Sequence, residues 1–274
     1  MATLYLVGTP IGNLEDMTLR AIRVLKEVSV VAAEDTRRAR KLFARHGIAT
    51  PLTTYHEQGR HAKLPDLLRR LRDQDVALIT EAGMPVVSDP GYSLVTAALE
   101  QGVRVEAVPG PSAVTTALAV SGLPPEPFLF LGFLPRVARA RRRLLTSVVG
   151  EPHTLVLFEA PHRLEAALRE IDAIFGQRRL AVCRELTKLH EEVFRGTAAQ
   201  ALAHFRPPRG EFTLVIAGRD RPPEPAGDAQ VRARLRQLRD EDVGPRKAVA
   251  LATQESGRPR REVYRLWVEL GRKG

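Results

Sequence analysis

T-E-A-G-M-P-V-V-S-D-P-G, residues 80–91, follows the apolar run 76–79 and precedes a helix-like segment that begins near Tyr92. Gly83 and Gly91 let the backbone pass close to a ligand, and Pro85 and Pro90 stiffen it. Glu81 and Asp89 add negative charge, and Ser88 adds a hydroxyl. A stiff, acidic, glycine-containing loop at the carboxyl end of a strand is where α/β proteins hold cofactors. The carboxylates argue against a phosphate cradle, which needs positive charge and open N–H groups. They suit a ligand with a cationic centre and hydroxyl groups, and S-adenosylmethionine carries both.

Outward from this loop, strand-like and helix-like runs alternate. Residues 3–7 are apolar and β-prone, and G-T-P-I-G-N at 8–13 ends the run. Asp16 is placed to cap a helix with Leu19, Ile22 and Leu25 on one face. Strands are expected at 28–33, 52–55 and 103–108, with a basic helix through Phe43 and helices at 63–72 and 92–100. P-G-P-S-A at 109–113 turns the chain into an apolar helix ending near Gly122. Strands separated by helices of this length build a mostly parallel sheet.

The turn-rich G-L-P-P-E-P at 122–127 marks a boundary. Beyond it come an apolar run at 128–131, a basic helix, and strands at 154–158, 180–184, 191–195 and 212–217. Pro161 falls in the first turn of a helix, its favoured place. The pairings here depart from simple β-α-β repeats, so a mixed sheet is expected. Residues 219–228 have linker composition, and short helices at 230–240, 246–256 and 260–270 fit a helix-turn-helix-like bundle. The expected architecture is α/β, with domains at 1–121 and 122–220, a linker at 221–228 and a small helical domain at 229–274.

The 274 residues include 42 Lys and Arg against 32 Asp and Glu, a net charge of +10. That excess points to a polyanion, RNA before a membrane. Apolar runs are far shorter than the ~18 residues of a membrane helix, and no signal peptide is visible at the N-terminus. The single cysteine, Cys183, excludes an internal disulfide framework and reads as a core residue on a strand. A cytoplasmic protein is expected.

Loop 8–13 is not the dinucleotide fingerprint, because G-x-G-x-x-G is absent. It and the 109–113 turn stand at the same sheet end as the 80–91 loop, and three such loops make a cleft wall. Ser112 is placed either to cap its helix or to bond a ligand. E-D-T-R at 34–37 is either an ion-pair cluster or a functional one, in which Arg37 holds a phosphate or a carboxylate orients a substrate hydroxyl. E-A-P-H-R-L at 159–164 and R-E-L-T-K-L-H-E-E at 184–192 carry the polar density of the second half. No His or carboxylate spacing matches a metal site, so no metal is expected. Arg136, Arg139, Arg141, Arg142 and Arg143 have little acidic relief and read as RNA-backbone contacts. The segment 228–274 carries twelve Lys and Arg against seven Asp and Glu. It lacks the interleaved aromatics of a single-strand stacking platform.

G-T-P-I-G-N-L (8–14), E-D-T-R (34–37), S-D-P-G-Y (88–92), P-G-P-S-A (109–113) and G-F-L-P (132–135) occur in that order, followed by E-A-P-H-R-L, R-E-L-T-K-L-H-E-E and G-E-F-T-L-V-I (210–216). This series resembles the ribosomal-RNA methyltransferase branch of the tetrapyrrole methylase superfamily, through Gly218. The resemblance implies two α/β domains with an S-adenosylmethionine cleft between them. It implies methyl transfer to the ribose 2′-hydroxyl of a cytidine in the decoding region of 16S rRNA, by a homodimer that uses neither DNA nor membrane.

By matching motifs, the cofactor would touch Thr9, Pro10 and Gly12, then Thr80, Glu81, Ala82, Gly83, Met84, Pro85, Ser88 and Asp89, then Ser112 and Ala113. Phe158, Leu186 and Glu211 to Thr213 would close over adenine. The family pattern S-D-A-G-T-P stands here as T-E-A-G-M-P, so Glu81 is a methylene longer and Met84 lacks a hydroxyl; cofactor binding is expected to be retained but weakened. A ribose hydroxyl is a poor acid, so a base or polarising cation is needed. Glu159 or Glu185 is the candidate base, and Lys188 or Arg163 the electrostatic partner. Two rivals share the cleft: a small-molecule tetrapyrrole methylase, which the arginine-rich helix opposes, and a non-catalytic RNA-binding assembly factor.

Overall fold

In a computed structural model, which describes residues 2–56, 60–219, 227–241, 243–256 and 258–271, the first half of the chain builds a parallel sheet. Its strands are β1 (Thr3–Val7), β2 (Val30–Ala33), β3 (Leu52–Thr54), β4 (Val76–Ile79) and β5 (Arg104–Val108), ordered β3-β2-β4-β1-β5. β2 and β4 are buried throughout, which is why they read as unbroken apolar runs rather than alternating ones. Helices α1 (Leu19–Glu27) and α2 (Thr36–His46) cover one face through Val24, Leu25, Leu42 and Phe43. Helices α3 (Arg60–Arg70) and α4 (Tyr92–Glu100) cover the other through Leu67, Leu94 and Ala98.

Neighbouring strands β1 and β4 send the chain in opposite directions, β1 toward β2 and β4 toward β5. The connections they start lead to α1 and α4 on opposite faces of the sheet, which makes the carboxyl ends of β1 and β4 the switch point where a crevice forms.

The second half begins with α5 (Ala113–Ser121), which ends at Gly122 with φ of 75°. It continues through β6 (Phe128–Phe133), α6 (Ala138–Ser147), β7 (Thr154–Glu159), α7 (Pro161–Phe175), β8 (Leu180–Arg184), β9 (Glu192–Gly196), α8 (Ala198–His204) and β10 (Phe212–Ile216). The order is β6-β7-β10-β8-β9; β6 and β7 are parallel and the other pairs antiparallel, so the sheet is mixed as expected. α5 packs Val114, Ala117 and Leu118 on Val156, Ala181 and Val215 on one face, while α6, α7 and α8 cover the other.

Three local expectations change. Asp16 lies in a short 3-10 turn, Leu14–Asp16, and Thr18 caps α1 by accepting the Ala21 N–H at 3.1 Å. The extended Met17 between them ends the turn before the helix can start. The basic helix starts at Ala138, leaving Arg136 ahead of it. Helix α8, which the apolar pattern did not announce, is secured by a capping box between Thr197 and Gln200.

Met1–Gly218 forms one compact unit and Arg219–Gly274 a second. The second holds α9 (Asp228–Asp240), α10 (Pro245–Ser256) and α11 (Arg260–Gly271) around Leu235, Ala248, Val263 and Leu266. Arg234–Glu255 and Arg232–Glu269 pairs, both at 2.7 Å, brace the bundle. The linker expected at 221–228 lies, up to residue 226, outside the described residues. Among the described residues no helix is long and apolar enough to cross a membrane.

Candidate active site

The three loops of the first half meet at one rim. Thr9 N–H donates to the Gly83 carbonyl at 2.9 Å and Gly83 N–H to the Thr9 carbonyl at 3.0 Å, a single antiparallel bridge. The Thr9 hydroxyl donates to the Thr80 carbonyl at 3.2 Å. Gly8 and Gly110 touch backbone to backbone: a Cβ on Gly8 would lie 2.8 Å from the Gly110 Cα. The rim also meets the second half. Asn13 N–H donates to Thr187 Oγ1 at 3.0 Å, and a Cβ on Gly12 would lie 2.5 Å from the Lys188 Cγ.

Between these loops and the strand ends of the second sheet lies a cleft of about 490 Å³, within the usual range for small-molecule sites. Glu81, Ala82, Gly83, Met84, Ser88 and Asp89 line it from the 80–91 loop, and Ser112 and Ala113 from α5. Phe158, Leu186, Glu211 and Thr213 face them from the second sheet. Thr9, Pro10, Gly12 and Thr80 line an adjoining recess of about 230 Å³, with Lys188 on its far side. Pro85 is buried beneath the loop and lines neither space.

The 80–91 loop is strained as well as acidic. Val86 and Ser88 adopt φ of 77° and 66°, in the left-handed region that a β-branched residue such as Val86 avoids. Glu81 and Asp89 share the cleft with Glu34, at the end of β2. Glu34 accepts the Glu81 N–H at 3.4 Å. Burial and the Glu34 charge, opposed by the Thr80 hydroxyl and reinforced by Glu81, push the Asp89 carboxyl up to about 7. Burial likewise raises Glu34, against the pull of the Glu81 N–H. Glu81 reaches back to Arg38 on α2 at 2.5 Å.

Among the four candidate catalytic residues, the structure separates one from the rest. Glu159, at the end of β7, is 1% exposed. Its Oε1 accepts the Ala160 N–H at 2.9 Å and pairs with Arg163 at 3.1 Å, while its Oε2 is buried without a partner. Burial raises its pKa against these contacts. Arg163 lies beside it but lines neither space, and it also bonds the Leu134 carbonyl. Lys188 Nζ sits between Glu185 Oε1 and Glu211 Oε2, each at 2.9 Å, and Glu185 Oε1 also accepts the Glu211 N–H at 2.8 Å. Burial opposes charge in this group, but these bonds overcome it, lowering Glu185 and raising Lys188. Glu185 lines neither space.

The arginines divide in the same way. Arg136, Arg139, Arg142 and Arg143 are exposed on or beside α6. Arg141 departs from the expected RNA-contacting set: it is 7% exposed and donates from Nε and Nη2 to the two oxygens of Glu170 on α7, at 2.9 Å each. One arginine per turn of a packed helix must face its neighbour, and Glu170 makes that tolerable. Arg37 is 86% exposed and folds back on Asp35, its own helix cap, in an ion pair at 3.1 Å. Cys183 is buried on β8, and burial raises its thiol to about 11.

The donor set fits S-adenosylmethionine. Three carboxylates offer partners to a cation and to ribose hydroxyls, Ile11, Val114, Phe158 and Leu186 give apolar walls for a flat base, and the unpartnered Glu159 Oε2 is an acceptor awaiting a donor. Sequence reading did not assign Glu34 or Phe133 to the cofactor set, although both stand in motifs it singled out, E-D-T-R (34–37) and G-F-L-P (132–135). Among the described residues no group of three His, Cys, Asp or Glu could hold a metal ion.

These features define a class: two-sheet α/β proteins that hold a ligand between the carboxyl edge of a parallel sheet and a mixed sheet. Residues 3–202 match the family described as Tetrapyrrole (Corrin/Porphyrin) Methylases, and residues 225–271 match the RsmI C-terminal HTH domain. The chain is 47% identical to Ribosomal RNA small subunit methyltransferase I of Thermotoga maritima, over 80% of this chain and 100% of that one. It is 44% identical to the protein of the same name from Synechocystis sp., over 100% of both. Among solved structures it resembles uroporphyrin-III-C-methyltransferase from Thermus thermophilus in fold, at TM-score 0.55 and 24% identity, covering 79% of this chain and 94% of that one. The chain belongs to the tetrapyrrole methylase family and, within it, to the ribosomal RNA small subunit methyltransferase I proteins.

Proposed function

We propose that the chain methylates small-subunit ribosomal RNA with S-adenosylmethionine, at the 2′-hydroxyl of a cytidine ribose in the decoding region of 16S rRNA. The observation that carries this reading is a buried carboxylate, Glu159, with Oε2 unpartnered among the described residues, lining the same cleft as the strained acidic loop, in a chain 44% identical over its full length to a small-subunit rRNA methyltransferase. When bound, the cofactor supplies an activated methyl group on a cationic sulfur. Glu34, Glu81 and Asp89 favour that cation and hold the donor's hydroxyls. The apolar walls exclude water from the reacting pair.

The acceptor hydroxyl must lose a proton. In this reading Glu159 Oε2 takes it, and its raised pKa makes it a better proton acceptor than an ordinary carboxylate. Arg163 and the Ala160 N–H hold the other carboxylate oxygen and so aim Oε2. Lys188 and Glu185 act as a clamp that shapes the loop against Gly12. Domains 1–121 and 122–220 supply the two walls, and Arg136, Arg139, Arg142 and Arg143 meet the RNA backbone. The working form is a cytoplasmic homodimer.

Tritium transfer from labelled S-adenosylmethionine tests the reading. Label is expected in the small-subunit RNA of intact subunits or naked RNA and, after nuclease digestion, in a 2′-O-methylcytidine. Label in a porphyrinoid instead would establish the small-molecule rival, and no transfer with RNA still bound would establish the assembly factor.

A further inference from the structure

Phe133 stands at the cleft with 53% of its surface exposed. The exposure is built in by the backbone. β6 pairs Phe130 with Val156 and Phe133 with Phe158, so three steps on one strand oppose two on the other, a bulge that turns Phe133 out of register. Gly132, inside the bulge, has φ of 65°, and a Cβ there would lie 3.0 Å from Ser88 Oγ. The bulge therefore rests directly against the strained loop. Phe158 holds the Phe133 ring edge-to-face at 5.4 Å and 61°, and is itself backed by Phe130 at 5.0 Å. Across the cleft, Val87 is 52% exposed. Two apolar side chains thus flank the opening of a polar site, one of them an aromatic ring braced from one side.

Apolar surface kept in water by a bulge and a left-handed glycine has a flat, apolar-faced partner as its natural occupant. The charge nearby says which. Arg136 follows three residues after Phe133, and Arg139, Arg142 and Arg143 continue along α6, all exposed and, among the described residues, without an ion-pair partner. A ring beside a row of unneutralised guanidinium groups matches a nucleotide in a strand whose phosphates run along α6. A ribose hydroxyl inside a structured RNA reaches an enclosed base such as Glu159 only when its nucleotide leaves the stack.

Building on the function proposed above, we infer that Phe133 is the stacking platform for the unstacked nucleobase of the RNA substrate, with Val87 closing on its other side. Its role is to position the target nucleotide at the exposed end of the cleft it lines.

Phe133→Ala, Phe133→Leu and Phe133→Trp test this, with methyl transfer to small subunits and equilibrium S-adenosylmethionine binding measured on each. A lost base stack lowers kcat/KM by about tenfold to a hundredfold. Ala and Leu are expected to show that loss alike, Trp to stay within about threefold of wild type, and cofactor affinity to change less than about twofold in all three. Leu as active as wild type would replace stacking with simple apolar packing and overturn the inference. So would a drop in cofactor affinity matching the loss of turnover. Wild-type protein that moves no methyl group into RNA removes the functional reading and this inference together; normal wild-type transfer with unimpaired variants removes this inference alone.

Discussion

Loops 80–91 and 184–191 face each other across the cleft and are built alike, yet their electrostatics are opposite. Each forces two non-glycine residues into the left-handed region, Val86 and Ser88 in one, Glu185 and Thr187 in the other. Each carries carboxylates at the end of a buried strand. In the first loop Asp89 faces Glu34 and Glu81, and its pKa climbs to about 7. In the second, Glu185 meets Lys188 and the Glu211 N–H, and its pKa falls. The difference is where the cation sits: Lys188 bonds Glu185 directly, whereas Arg38 pairs with Glu81 and leaves Asp89 among carboxylates. Paired carboxylates make a structural clamp, while carboxylates crowded together or left with an unpartnered oxygen, as in Glu159, are ready to bind a cation or move a proton.

The sharpest way to break this contrast is at Glu159. Glu159→Gln keeps the shape and the Arg163 contact but cannot accept a proton. Turnover is expected to fall about 100-fold or more with cofactor affinity within a few-fold of wild type; single-turnover rates with calorimetric cofactor binding measure both. Undiminished turnover would move the base elsewhere, with Asp89 next in line.

Asp89 gives a pH signature. Its folded pKa lies above its unfolded value of about 3.8, so the native state holds more protons between those limits. Stability is therefore expected to fall as pH rises from about 4 to about 7 and to level off above. Asp89→Asn should flatten that slope and gain roughly 1–2 kcal/mol at pH 8, discounted for the group's partial exposure. Denaturation midpoints across pH 5 to 8 would check it; an unchanged slope would place the titration on another group.

The clamp predicts a smaller loss of a different kind. Lys188→Ala leaves Glu185 and Glu211 facing each other without a cation, costing ~1 kcal/mol. The thermal midpoint should drop while cofactor-saturated turnover changes by less than about threefold. Turnover abolished at an unchanged midpoint would restore Lys188 to the catalytic role first considered for it.

Strain supplies the smallest effect. Ser88→Gly relieves a left-handed serine and is expected to raise stability by about 0.5–1 kcal/mol. Thr187→Gly gives up the Asn13 hydrogen bond in exchange and should gain nothing. Equal gains in denaturant titrations would mean that the Asn13 bond contributes little.

Much of this architecture is written locally. Strands 3–7 and 180–184 and the helix 92–100 match their expected bounds, because unbroken apolar runs end at unmistakable turns. The gathering of three loops at one rim followed from strand alternation alone. What escaped depends on partners distant in the chain. Lys188 reads as a reactive amine until Glu211, 23 residues away, takes it. Arg141 reads as one more surface charge until Glu170, 29 residues on, draws it inward. Glu34 joins Asp89 only because β2 lies beside β4. Phe133 escaped because one extra residue in an edge strand reverses which way a side chain points.

The glycine pair at positions 8 and 110 has a consequence for how anything enters. Bare main chains pressed together there leave no slack for either turn to swing, so that part of the rim is fixed. The contact of Ser88 with Gly132 is made through one side chain and leaves more freedom to shift. A methyl group at position 132 would act as a doorstop, and its effect on exchange of the donor molecule would show which lip moves.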